Sequence, residues 1–467
     1  MMEIIHEINN FTWGWGLSIL LLASGVFVSV RLKAPQFRFF PQLWKNIKTS
    51  MFSDGENKIS GFGVLCSSLG SLIGTGTLVG TATALMSGGP GAIFWMWVVA
   101  FIAMPLSFSE TILAQLFREK GPDGSYCGGA AYYISKGLKK KKLGAAYSVC
   151  MIGAIGLCYV MVQSNSISQA VRGVADVNPW LIGTCTMILS ALVIVGGLKR
   201  LTDITTYIVP FMAISYIICS LIIIIVNIQE VPAIFAMIFK SAFSGHAAAG
   251  GIAGYSVQQA FRYGVARGMF SNDAGTGCSG GLNAGAEVKH PVEQGFSAML
   301  GVFIVTTIIC TSTALCILFT GVMETGYSGI QLTQAAFKSV MGPVGGWIIM
   351  IAMFLFAYTS LLAEIYLGEG NINYLSKKNA MRKIWVYRIV AAAVCIIGAV
   401  VPLDAVWDLV DFAICFMIII NLYAILRMSN RVKYVLNDWI GQRRKGVKRP
   451  EWDYSRDMST MPGKEEA

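Results

Sequence analysis

The chain has 467 residues, of which 55% are hydrophobic and only 13% charged, with a formal net charge of +11. A soluble domain carries about 25% charged residues, so this composition excludes a soluble fold. Runs of roughly 20 apolar residues, enough to cross a hydrocarbon core, recur along the chain, as at 207–226 and 302–321.

In chain order, the apolar runs predict eleven membrane spans. They lie near 13–31, 62–86, 92–117, 144–172, 180–198, 204–227, 250–287, 293–321, 344–375, 383–402 and 405–427. The opening MMEIIHEINN has no Lys or Arg, whereas a secretory signal needs a basic head, so the first run reads as a retained span. The seventh span is the least hydrophobic and is placed by context. The stretch 228–246, with VPAIFAMIFKSAF, reads either as a short amphipathic external helix or as a partly buried connector. Residues 1–430 form a single polytopic domain, and 431–467 form a basic cytoplasmic tail.

The basic residues orient these spans. With the N-terminus outside, the inner loops carry Arg31, Lys33, Arg38, Lys45, Lys48 and Lys58, then Arg118, Lys120, Lys136 and the run 139–142. Lys199, Arg200, Lys289, Lys377, Lys378, Arg382, Lys383 and the tail follow on the same side. The outer loops carry only Arg172, Lys240 and Lys338. This is the positive-inside asymmetry of a cytoplasmic membrane protein, and it accounts for the net charge without nucleic acid. The polybasic run 139–142 also suits anionic membrane lipid. The eleven cysteines are scattered, mostly in apolar runs, with no disulfide or zinc spacing. His6, His246 and His290 lie far apart, no HExxH motif occurs, and no enzyme is expected. His290, in a loop beside Pro291, reads as a surface residue.

Two spans are rich in glycine. Span 2 reads GFGVLCSSLGSLIGTGTLVGTATAL and span 7 reads GMFSNDAGTGCSGGLNAG; both contain Gly-Thr-Gly, at 74–76 and 275–277. Small residues let membrane helices pack closely. Such density also breaks a helix, and broken backbone at membrane depth survives only where protein or a wet cavity satisfies it. Half-helix N-termini suit a carboxylate and unwound carbonyls suit Na⁺. Spans 2 and 7 are five apart, so a second set of five would be inverted relative to the first. This predicts an all-α fold with inverted repeats near 62–227 and 250–427, preceded by one added helix. Spans 4 and 9, the third members of each set, carry polar clusters at 163–166 and 358–360.

At these residues the sequence resembles the alanine/glycine:cation symporter family, the sodium:alanine symporters. The matching pieces are RLKAPQFR, the GTG of span 2, GGPGAIFWMW, RGMFSNDAG, VKHPVEQG leading into GVFIVTTIICTSTAL, and WDLVDFAICFMIIINLYAIL. The resemblance implies a leucine-transporter-type five-plus-five core and Na⁺-coupled uptake of a small amino acid such as alanine or glycine. It implies no cofactor beyond Na⁺ as coupling ion. By position it puts Thr75, Gly76 and Thr77 at the substrate carboxylate, Gln163 and Asn165 on the pocket wall, and Phe270, Ser271 and Asn272 facing the substrate. Thr359 and Ser360, with carbonyls near Ile73 and Gly74, would hold Na⁺, a hard cation that prefers oxygen. Without the family, those hydroxyls read equally as bonding back to their own helix.

The sequence departs from the family pattern at three places. Thr77 stands where the family has Asn, Cys278-Ser279-Gly280 replaces a serine-alanine-proline stretch, and Ala363-Glu364 replaces Gly-Trp. The last exchange alters the size and charge of the pocket, which leaves glutamine or H⁺ coupling as alternatives. Glu364 has three readings: pairing with Arg262 or Arg267, contact with substrate or ion, or a protonated acid. Glu110 and Asp411 read as structural or gating groups. A channel or a non-transporting amino-acid sensor on the same scaffold are the readings from other classes.

Overall fold

The computed structural model describes residues 7–9, 11–51, 61–121, 124–243, 257–376 and 379–454. Lys58, Lys377 and Lys378 of the inner-face charges, the first seven residues of predicted span 7 (250–256), His6, His246 and the tail beyond 454 lie outside them. The described chain is almost wholly helical, the answer of a backbone that finds no water to bond inside a bilayer.

The first half comprises α1 (Leu17–Arg31), α2 (Phe40–Met51), α3 (Gly61–Leu72), α4 (Gly76–Gly88), α5 (Gly91–Leu116), α6 (Lys141–Arg172), α7 (Pro179–Ile194) and α8 (Gly197–Val226). The second comprises α9 (Val231–Phe243), α10 (Val257–Asn272), α11 (Cys278–Asn283), α12 (Pro291–Phe319), α13 (Gly329–Met341), α14 (Pro343–Leu375), α15 (Ala380–Gly398) and α16 (Leu403–Arg444). Among the described residues, six helices are long and apolar enough to cross a membrane, or seven if α3 and α4, bent by 45° at their junction, count as one span. The other predicted spans fall on α1, α7, the α10–α11 pair and α15. The first two are shorter, α10 carries Gln258, Gln259, Arg262 and Arg267, and α15 carries Arg382, Lys383 and Arg388.

Two segments read as loops are helices, and the stretch read as a short amphipathic helix or a partly buried connector is a helix with one face buried. The 228–246 stretch contains α9, whose Ile234, Ile238 and Ala242 are buried. Its amphipathic face therefore packs on the bundle. The stretches after spans 1 and 8 contain α2 and α13, helices of 12 and 13 residues.

Close backbone approach binds α5 to its neighbours. A Cβ on Gly264 of α10 would stand 2.5 Å from the Ala92 carbonyl oxygen and from Trp95 Cβ, so only glycine fits. At the other end of the bundle, α16 runs well past the predicted end of span 11. The chain after it folds back, with the Trp452 amide donating to the Lys289 carbonyl at 2.9 Å and the Tyr454 hydroxyl to the Val288 carbonyl at 3.2 Å. The Arg118 guanidinium lies 4.7 Å from the Tyr454 ring centre. His290 is fully buried beneath this segment, not a surface residue. It caps α12 by accepting from the Val292 amide at 3.2 Å and faces Asp438 at 3.3 Å. Burial pushes its imidazole down to about 4. All eleven cysteines are free thiols.

Candidate functional site

The site forms where the two broken helices meet. Regular winding of α3 ends with the Ile73 amide on the Leu69 carbonyl at 2.7 Å. The chain bends through 73–75 and resumes as α4, whose first five residues, Gly76–Gly80, have the wider π-type winding often found at functional sites. Thr77 turns back on the break: its amide and hydroxyl donate to the Gly74 carbonyl at 3.2 and 2.8 Å. The Thr75 amide donates to Gln163 Oε1 at 3.2 Å. The Thr75 hydroxyl oxygen is buried and has no hydrogen-bond partner among the described residues.

Thr359 and Ser360 of α14 press against α3. Ser360 Oγ lies 2.8 Å from the carbonyl oxygens of both Gly70 and Ser71. Thr359 Oγ1 lies 3.1 Å from the Gly70 carbonyl and also reaches its own helix at Leu355 and Phe356. The carbonyls that these hydroxyls meet are those of Gly70 and Ser71, one turn before Ile73 and Gly74. The Gly74 carbonyl is taken up by Thr77. Two carbonyl and two hydroxyl oxygens in one cluster are a donor set that fits Na⁺.

The second break runs from Asp273 to Gly277, between α10 and α11. Here the backbone needs positive φ: 50° at Asp273, 91° at Gly275 and 93° at Gly277. Ser271 and Asn272 turn toward α12, where both meet Thr306 Oγ1, at 2.7 and 3.2 Å. Phe270 faces the first break. A Cβ on Gly76 would lie 2.8 Å from Ser271 Cα and 3.0 Å from the Phe270 carbonyl oxygen, so the two breaks touch backbone to backbone. The Phe270 ring sits between Tyr159 and Trp407, with ring centres 4.8 and 4.5 Å away.

The amides opened by the second break already have an acceptor. Glu110 Oε1 of α5 accepts from Gly275 N at 2.8 Å, Gly277 N at 3.1 Å and Asn421 Nδ2 at 2.7 Å. Asn421 also donates to the Gly275 carbonyl at 2.9 Å and receives the Tyr133 hydroxyl. The carboxyl of Glu110 thus satisfies from within the protein the backbone donors that the break exposes. The first break has no such internal carboxylate on its amides among the described residues.

Gln163 and Asn165 part ways. Gln163 Nε2 donates to Glu364 Oε1 at 2.6 Å. Asn165 Nδ2 donates to the Gly398 and Val401 carbonyls at 2.9 and 2.6 Å, away from the breaks. Residues two apart on a helix point about 200° apart, so both could not face one pocket. The pairing of Glu364 with Arg262 or Arg267 is also corrected. Arg267 pairs with Asp411 at 2.8 Å and lies over the Trp407 ring at 4.3 Å; Arg262 lies over Tyr263 at 5.0 Å. Asp411→Asn is expected to lower the melting temperature in detergent and to speed release of bound amino acid. It leaves a buried guanidinium without its counter-charge, a loss of about 3–5 kcal/mol; an unchanged melting temperature would remove the pair from the fold's support.

Several groups at the site escaped the sequence reading. Asn421 had a signal, as a lone amide in an apolar run. Asp273 had one too, as an acid inside a glycine-rich break. Tyr159 and Thr306 had none beyond ordinary membrane-helix composition.

Two interrupted helices that meet inside a helical membrane bundle, with polar groups gathered on them, define a secondary transporter. More particularly, residues 1–454 match the sodium:alanine symporter family, and the chain belongs to it. The probable sodium/glutamine symporter GlnT of Bacillus subtilis is 38% identical, covering 96% of this chain and 93% of that one. The sodium/alanine symporter AgcS of Methanococcus maripaludis is 37% identical over 92% of this chain and 95% of its own. Among solved structures, MhsT in complex with L-phenylalanine superposes with a TM-score of 0.61 at 13% identity, covering 82% of this chain and 93% of that chain. That likeness is one of fold, of the leucine-transporter type.

Proposed function

We propose that the protein takes up a small amino acid together with Na⁺ across the cytoplasmic membrane. Its relatives carry the names of alanine and glutamine symporters, and these are the two leading candidates. In this reading the chain crosses the membrane eleven times from an outer N-terminus, and the segments 62–227 and 250–427 are inverted counterparts. The substrate carboxylate lies at the first break against Thr75 and Gly76, below the Phe270 ring, with Gln163 and Glu364 on the wall. Thr77, Ser271 and Asn272 shape the two breaks, and Asn165 braces α6 against α15. Na⁺ lies among the Gly70 and Ser71 carbonyls and the Thr359 and Ser360 hydroxyls.

The observation that carries this reading is the contrast between the breaks. The second is filled by Glu110, whereas the first keeps a buried, unpartnered Thr75 hydroxyl beside an oxygen cluster. A ligand that brings an anion and a cation supplies what the first lacks. Uptake of labelled alanine, glycine and glutamine into proteoliposomes, with and without a Na⁺ gradient, tests it. Uptake of none under any gradient overturns the reading, and uptake driven by a proton gradient alone replaces Na⁺. Thr359→Val combined with Ser360→Ala is expected to raise the Na⁺ concentration for half-maximal uptake more than tenfold, because two of four oxygens are lost, each worth about 1 kcal/mol or more. An unaltered Na⁺ dependence places the ion elsewhere.

A further inference from the structure

We propose that Glu364 reads the substrate's side chain: its free oxygen accepts a nitrogen donor, so the site selects amino acids whose side chain ends in an N–H group, a carboxamide or an amine, over apolar ones. The proposal rests on the transport reading above and names its substrate class.

Glu364 stands four residues after Ser360 on α14, so it shares the face that Ser360 turns toward α3. It is one side chain away from the first break. Oε1 accepts from Gln163 Nε2 at 2.6 Å, and Gln163 Oε1 accepts from the Thr75 amide at 3.2 Å. Those two bonds fix both ends of the Gln163 amide, so it cannot swing over to serve the other oxygen. That oxygen, Oε2, is buried and has no partner among the described residues, and the residue as a whole is 3% exposed. Arg267 is engaged on Asp411, and Arg388 on Glu369 at 2.6 and 2.9 Å.

A carboxyl oxygen left unmet inside a protein is costly, and a donor that reaches it regains that cost. An alanine methyl group offers none. A side chain ending in nitrogen does. Sites built to hydrogen-bond a ligand group discriminate strongly against analogues that lack it, whereas apolar pockets discriminate weakly. Oε2 is thus placed to separate these two substrate classes while the backbone of the break holds the part common to all amino acids.

The test compares L-glutamine, L-ornithine and L-alanine in uptake by the full-length protein in proteoliposomes, and in thermal stabilisation of the purified protein in detergent. The intact protein is expected to prefer glutamine or ornithine over alanine by roughly tenfold or more. Glu364→Gln is expected to reduce that ratio about tenfold, and Glu364→Leu to invert it. Equal response of the intact protein to all three overturns the proposal, as does a wild-type ratio in both variants. So does an equal fall for every substrate with an altered pH or Na⁺ dependence, which assigns the carboxylate to H⁺ or Na⁺. If Glu364→Leu fails to fold, the Glu364→Gln ratio decides. Should no amino acid move under any gradient, the transport reading fails; the stabilisation series still decides whether Glu364 selects nitrogen-bearing ligands.

Discussion

Gly76→Ala is expected to abolish amino-acid uptake, while Gly80→Ala, one turn further along α4, leaves it near the unmodified rate. Both substitutions add a single methyl group to the same helix, and alanine favours helix over glycine at both by about 1 kcal/mol. The surroundings separate them. At Gly76 the new carbon would lie 2.8 Å from Ser271 Cα and 3.0 Å from the Phe270 carbonyl oxygen, main-chain atoms that no rotamer change can clear. At Gly80 nothing approaches closer than 3.9 Å. Overpacking of this kind costs about 1–3 kcal/mol, and here the strain falls on the contact between the two breaks. Uptake normalised to the amount of folded protein reads the difference. Equal activity in the two variants removes the backbone contact from the mechanism.

Glu110→Ala is expected to unseat the second break, with loss of uptake and a large fall in melting temperature. Three donors, the amides of Gly275 and Gly277 and the side chain of Asn421, share Glu110 Oε1. Removing the acceptor inside the protein leaves them unmet at about 1–3 kcal/mol each, so a combined loss of at least ~3 kcal/mol is expected. Glu110→Gln keeps one oxygen in place and is expected to lose far less stability. Unfolding curves in detergent for the three proteins give the order directly. If Ala and Gln behave alike, the hydrogen bonds are not what Glu110 contributes.

The two Gly-Thr-Gly motifs look the same as text and are different as structure. The glycines at 275 and 277 are needed for their backbone angles, with φ of 91° and 93°, and Gly277 also for room against Tyr147. Those at 74 and 76 keep ordinary angles and are needed for room, against Ser360 and against Phe270 and Ser271. Glycine density therefore revealed that two helices break, because both demands exclude a Cβ. It did not reveal which demand applied where. The hydroxyls at Thr359 and Ser360 were legible through the resemblance, but their carbonyl partners depend on how far α3 stays helical before it bends.

Charge pairing was the least legible part. Glu110, Asp411 and Glu364 all lie in or near apolar runs, and the sequence carries no rule for which of them meets Arg267. The fold decides it by bringing residues 144 positions apart to 2.8 Å. The same holds for the Glu110 contact with a loop 165 residues away. The amphipathic helices α2 and α13 were missed for another reason: a polar face hides a helix from a search for unbroken apolar runs.

The folded-back segment at Trp452 and Tyr454 bears on how the protein is handled. Trp452 and Tyr454 are seated on the turn before α12 and beside the end of α5. A reporter fused ahead of Tyr454 therefore replaces packed protein, not a loose end. It also strips the cover from His290, an imidazole the fold keeps uncharged. Fusions and cleavage sites placed before residue 454 disturb that seat.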